Sequence, residues 1–162
     1  APPLRKKEDR EALWEAVEKD EVDMLGTDHC SFNMDGQKTR GKDDFTRIPG
    51  GIPGSNHLNT CTRLKELILE KNKENIILGA ICAGPMVLGG LGLLKGRKAT
   101  CFPNFEPTMI GAIPTGNGVE QDGNIITCQG PGFVFEFGLS LLKVLRDDEI
   151  AGEVADALLV RN

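Results

Sequence analysis

The stretch Ile76–Pro85, IILGAICAGP, decides how the rest of this chain reads. An aliphatic run enters a single cysteine, and small residues follow at once. A short apolar run ended this way reads as a buried strand, here Ile76–Ile81. Cys82 then lies in a tight turn, and Pro85 suits the first turn of a helix over Pro85–Leu94. This is the strand–elbow–helix arrangement that exposes a nucleophile. Ala83 and Gly84 leave the turn uncrowded, and a thiol there meets the positive end of a helix dipole. The alternative is a small buried hydrophobe, the commonest fate of a free cysteine.

Outward from that stretch, strands and helices alternate. Asn59–Lys71 carries Leu64, Leu67 and Ile68 at helical spacing. Lys98–Phe102 reads as a strand, Asn117–Gly123 as a turn and Asn124–Cys128 as a strand. Gln129–Gly132 is a glycine-proline hinge. Phe133–Leu145, FVFEFGLSLLKVL, is apolar enough to predict a buried helix. Asp147 or Asp148 is placed to cap a last helix through Leu158. On the other side, Glu8–Lys19 predicts a helix, Val22–Gly26 a short strand and Thr27–Asp44 a long polar loop. Ile48–Gly54, IPGGIPG, is a turn whose backbone N–H groups can line up on an anion, or a plain tight connection. This alternation implies one α/β domain over residues 1–162, with a mainly parallel sheet in a three-layer sandwich. Ligands of such sheets bind at the carboxyl ends of the strands, where Cys82 falls.

Composition narrows the function. The chain has 162 residues and a net charge of -5, so no basic stripe points to nucleic acid. No apolar run approaches the roughly 20 residues of a membrane helix. APPLRKKEDRE at the N-terminus lacks an apolar signal region. The five cysteines, Cys30, Cys61, Cys82, Cys101 and Cys128, form no CxxC pair. Reduced thiols and a cytoplasmic location are therefore expected. Long spacings and only two histidines, His29 and His57, argue against a zinc cluster. No cofactor is expected.

The motifs PGGIPG, AICAGP, GLLKGRKATCFPNFE, DGNIIT and QGPGFVFEF occur in order over residues 48–160. This portion resembles the ThiJ/PfpI family, which includes the Parkinson-associated deglycase. The resemblance implies a flavodoxin-like fold of the class I glutamine-amidotransferase type. It makes Cys82 the nucleophile and assigns the Gly51 and Ala83 amides to an oxyanion. Implied activities are glyoxalase or deglycase action on small carbonyl compounds, peptidase action in oligomeric members, and peroxide sensing through the cysteine. The family acid near the first strand has no match; Asp28 is the one stand-in. Phe102 occupies the position where some members carry a histidine.

Residues 2–54 instead resemble dihydropyrimidinase and D-hydantoinase, on PPLRKKEDREALWEA, TDHCSFN and GQKTRGKDDFTRIPGGIPG. Asp28 matches a metal-facing aspartate of those barrels, but two histidines cannot assemble a binuclear centre. The two resemblances meet at IPGGIPG, so the chain reads as a chimera, with residues 1–47 hydantoinase-like and 48–162 ThiJ/PfpI-like. An unpaired strand edge in the patched half implies a homo-oligomer.

Overall fold

The computed structural model describes residues 6–19, 21–22 and 61–160. The chain clusters into two units, Ala1–Asn56 and His57–Asn162. The strand expected beyond Val22, the loop Thr27–Asp44 and the hinge Ile48–Gly54 lie outside the described residues.

In the first unit, helix α1 spans Lys7–Glu18. The Asp9 carboxylate accepts from the Lys6 N–H at 3.1 Å, which satisfies one backbone donor at the helix start. Lys19 pairs with Glu15 at 2.8 Å across one turn.

The second unit opens with α2, Thr62–Lys73. It ends because Asn75 turns left-handed, with φ 60. The Asn75 N–H then reaches Asn72 O at 3.1 Å and the Ile76 N–H reaches Lys71 O at 3.0 Å. These are the two bonds of a Schellman motif, which satisfies the last carbonyls of the helix. Strand β1, Leu78–Ile81, follows, then α3, Pro85–Gly90. The remaining strands are β2 (Lys98–Ala99), β3 (Ile113–Pro114), β4 (Val119–Asp122) and β5 (Ile125–Cys128). Helices α4 (Val134–Leu145) and α5 (Asp148–Ala157) close the unit. Asp147 caps α5, accepting from the Ile150 N–H at 2.8 Å.

The main sheet has the order β1-β5-β4. β1 and β5 run parallel, with Ile81 beside Cys128. β4 and β5 form an antiparallel hairpin through Gly123–Asn124. β2 and β3 form a second, parallel pair. Lys98 N–H donates to the Asp122 carboxylate at 2.9 Å and Thr100 N–H to Thr127 Oγ1 at 2.9 Å, which ties β2 to the hairpin.

Successive strand residues face opposite sides, so each face of β1 has its own cover. On one side, Ala80 joins Leu88, Leu94, Ala99, Cys101, Met109 and Ile125 in a buried cluster, with Ile68 of α2 against it. On the other, the space above Gly79 is filled by Phe137 and Leu141 of α4; a Cβ there would lie 3.1 Å from the Phe137 ring. Helices thus cover both faces, as the three-layer expectation requires.

Three local expectations need correction. Asn117–Gly123 is not a turn throughout, because Val119–Asp122 is the edge strand β4. One valine followed by three polar residues gives no strand pattern, and the strand exists through its pairing with β5; only Gly123–Asn124 turns. The helix after the elbow stops at Gly90 rather than Leu94, where glycines lead into successive turns. The apolar helix α4 has no buried residue: Phe135 is 56% and Leu145 67% exposed. One side of it meets the sheet and α5 packs along it, but Val134, Phe135 and Leu145 stay exposed.

Candidate active site

Cys82 sits at the carboxyl end of β1 with φ 61. A non-glycine residue in this left-handed region carries about 1–2 kcal/mol of backbone strain. Such strain persists only where neighbours over-determine it, and it concentrates at functional sites. Here two backbone bonds hold it. The Cys82 N–H donates to Cys128 O at 2.9 Å, and Cys82 O accepts from the Phe102 N–H at 3.0 Å. The first ties the elbow to the end of β5, and the second to the chain leaving β2. Gly84 completes the turn by donating to Ile81 O at 2.9 Å. A Cβ on Gly84 would lie 3.0 Å from Ile81 O and 3.2 Å from Ile81 N, so a larger residue would crowd the elbow. Cys82 itself is half-buried.

Ala83 is buried, and its carbonyl accepts from the Met86 N–H at 3.2 Å. Among the described residues no acceptor takes the Ala83 N–H, which leaves it available to an anionic oxygen. Gly51 and Asp28, the other two site residues expected from sequence, lie outside the described residues. So do His29 and Cys30. Among the described residues no group of acidic, histidine and cysteine side chains could hold a metal ion.

Phe102, where a histidine would stand, is 44% exposed. Its ring packs edge-on to Phe105, with centroids 6.4 Å apart, and lies over Gly130. The flank of the elbow is therefore an apolar wall rather than a base.

Two further cysteines converge on the elbow, and neither stands out in the sequence. Cys101 is buried one residue before Phe102, and its thiol is pushed up to about 11. Burial is the main cause, followed by the Glu106 carboxylate and by Cys82. Cys128 is fully buried at the end of β5. Its sulfur donates to Gly130 O at 3.5 Å and Phe133 O at 3.7 Å. Burial raises its pKa first, the Gly130 backbone offsets part of the rise, and Glu136 and Cys82 add to it. The signal in the sequence is positional: both cysteines end segments that read as strands, at the sheet edge where Cys82 stands.

A model of the DJ-1/PfpI family matches residues 14–144. The chain belongs to the DJ-1/PfpI family. Protein DJ-1 homolog B of Arabidopsis thaliana is 38% identical over 120 residues, 73% of this chain and 27% of that relative. The crystal structure of Drosophila melanogaster DJ-1beta aligns with a TM-score of 0.62 and 33% identity, covering 71% of this chain and 63% of that one. The chain thus spans less than two thirds of either. The fold is the flavodoxin-like α/β fold of the family. D-hydantoinase of Streptomyces coelicolor is also similar, at 37% identity over 98 residues, 60% of this chain and 21% of that enzyme. The DJ-1/PfpI match begins at residue 14, inside the segment that the hydantoinase resemblance covers.

Among the described residues, no helix is long and apolar enough to cross a membrane.

Proposed function

We propose that this chain is a cysteine-dependent DJ-1/PfpI protein in which the Cys82 thiolate attacks a small electrophilic carbonyl compound, in glyoxalase- or deglycase-type chemistry linked to a stress response. The observation that carries this reading is the strained backbone of Cys82, pinned on both sides at the strand end. Attack on a 2-oxoaldehyde forms a C–S bond and turns the carbonyl into an oxyanion, which takes a proton to give a hemithioacetal. The Ala83 N–H, unclaimed among the described residues, is one donor for that oxyanion; the family resemblance assigns Gly51 as the second and leaves Asp28 as the stand-in for the family acid. With Phe102 where a base would stand, turnover is expected to be slow compared with a site where an adjacent histidine activates the thiol. Hydrolysis of acyl or peptide substrates would use the same thiol and donors. The protein is further proposed to be cytoplasmic and to act as a homo-oligomer.

Methylglyoxal consumption, compared between the unmodified chain and Cys82→Ser, tests the reading. Consumption should vanish in the variant, and a thiol reagent should label Cys82 faster than Cys61. Consumption that survives Cys82→Ser, or equal labelling of the two cysteines, overturns it.

The similarity to D-hydantoinase favours a second reading, a chimeric chain that folds without catalytic competence. It predicts a cooperative unfolding transition together with failure of both tests above. Hydantoinase-type metal chemistry would require stoichiometric metal in the purified chain.

A further inference from the structure

Cys82 does not stand alone at the sheet edge. β1 and β5 are adjacent parallel strands, and Ile81 lies directly beside Cys128. The next backbone bond is from the Cys82 N–H to Cys128 O, 2.9 Å long. With standard backbone lengths on either side of that bond, the two Cα atoms can be no more than about 7 Å apart. Disulfides span Cα separations of roughly 4.4–6.8 Å. The Cys128 sulfur is turned toward Gly130 and Phe133, the loop that follows its strand at the same edge of the sheet. Cys82 is also the smallest of the causes that raise the Cys128 pKa, as it is for Cys101. Cys82 is half-buried and Cys128 fully buried, so an oxidant from solvent meets Cys82 first.

We propose that Cys82 and Cys128 form a reversible redox pair, in which a hydroperoxide oxidises Cys82 and Cys128 resolves the product as an intramolecular disulfide. This deepens the reading of Cys82 as a reactive thiol and rests on it. In the first step the Cys82 thiolate attacks the distal peroxide oxygen. The S–O bond forms, the O–O bond breaks, and the leaving oxygen takes a proton, which gives Cys82 sulfenic acid and water or an alcohol. In the second step the Cys128 thiol loses its proton and its sulfur attacks the Cys82 sulfur. The S–S bond forms and the S–O bond breaks, and the hydroxyl leaves as water with that proton. Two thiols are oxidised by two electrons in total, and the peroxide is reduced by two. A dithiol reductant restores both. Burial opposes deprotonation of Cys128, so resolution is the slower step. It must still outrun a second peroxide, which would carry Cys82 to the irreversible sulfinic acid. Closing the bond also removes the thiol's hold on Gly130 O and Phe133 O, which loosens the start of α4.

The test is treatment of the fully reduced chain with one equivalent of hydrogen peroxide, followed by alkylation, intact mass and peptide mapping. The expected product has lost two hydrogens and yields a Cys82–Cys128 linked peptide pair, reversed by dithiothreitol. Cys101→Ser should form the same pair. Cys128→Ser, and Cys128→Ala as a second variant should the first misfold, should instead trap dimedone on Cys82 at about tenfold the yield of the unmodified chain. Cys82 sulfinic acid with Cys128 still alkylatable, or a disulfide to Cys101, overturns the proposal. Should Cys82-dependent methylglyoxal consumption persist in that case, this inference alone falls. A Cys82 inert to both peroxide and methylglyoxal removes this inference and the proposed function together.

Discussion

Strand β5 and helix α4 are both strongly apolar, yet the chain treats them in opposite ways. Every residue of Ile125–Cys128 is buried, whereas no residue of Val134–Leu145 is. The strand lies between β1 and β4 and has helices on both faces. The helix meets the sheet on one side and α5 along another, and the rest of its apolar surface is exposed. Burial here follows the number of neighbours an element has, not its own hydrophobicity. The buried strand is also the one that ends at the candidate site, because it holds the elbow in place through Cys128 O.

Substitutions at matched apolar positions test this contrast most sharply. Ile126 is 0% exposed. Ile126→Ala is expected to cost about 3 kcal/mol in urea unfolding, as large-to-small core changes do. Leu145, 67% exposed, should lose less than about 0.5 kcal/mol on Leu145→Ala. Similar losses at both sites would mean that α4 is covered in solution, for instance in the proposed oligomer.

Glycines extend the same comparison. A Cβ on Gly89 of α3 would lie 2.7 Å from backbone atoms of Thr108, Met109 and Ile110. Gly89→Ala should therefore destabilise by about 2 kcal/mol through overpacking. At Gly138 of α4 a Cβ would meet nothing within 4 Å, so Gly138→Ala should raise stability by up to about 1 kcal/mol, the helix-propensity gain. A loss at Gly138 would again indicate cover over that face.

Alkaline titration probes the buried side by itself. The Cys101 thiol is raised from 9.0 to about 11, and Cys128 moves in the same direction. The folded chain keeps these protons where the unfolded chain has lost them. The stabilisation is complete below pH 9.0 and is lost as pH climbs to about 11. Each thiol contributes at most about 1.4 kcal/mol per pH unit to the slope. The urea midpoint should fall across this window, and less steeply in Cys101→Ala.

A gain rather than a loss is expected at the end of α5. Leu159 holds φ 57, and the Leu159 and Val160 N–H groups bond Asp156 O and Ala155 O at 3.1 and 3.0 Å, a Schellman cap with a bulky residue where glycine is usual. Leu159 is 80% exposed, so Leu159→Gly gives up little packing. It should stabilise by about 1 kcal/mol, read as a higher urea midpoint.

Much of the fold was legible because local patterns and tertiary demands agree. The apolar run ending in Cys82, Ala83 and Gly84 foretold β1, the elbow and α3, and Asp147 foretold its own helix. β4 was hidden because V-E-Q-D is polar and borders a true turn, and its strand character comes from pairing with β5. The exposure of α4 was hidden because the pattern of a helix does not state how many layers will cover it. At the candidate site, the elbow geometry of Cys82 and Ala83 could be read from one short motif. Cys101 and Cys128 could not, since only the parallel placement of distant strand ends brings them to the elbow.

The bond between the Cys82 N–H and Cys128 O links residues far apart in the sequence. During synthesis the cysteine is made well before the strand that fixes its backbone. Until Cys128 has been added and has docked, only one of the two bonds that hold Cys82 in its left-handed conformation, the one from the Phe102 N–H, is able to form. The backbone of Cys82 is therefore fully held only once the sheet is complete, when the rest of the strand pairing has already formed around it.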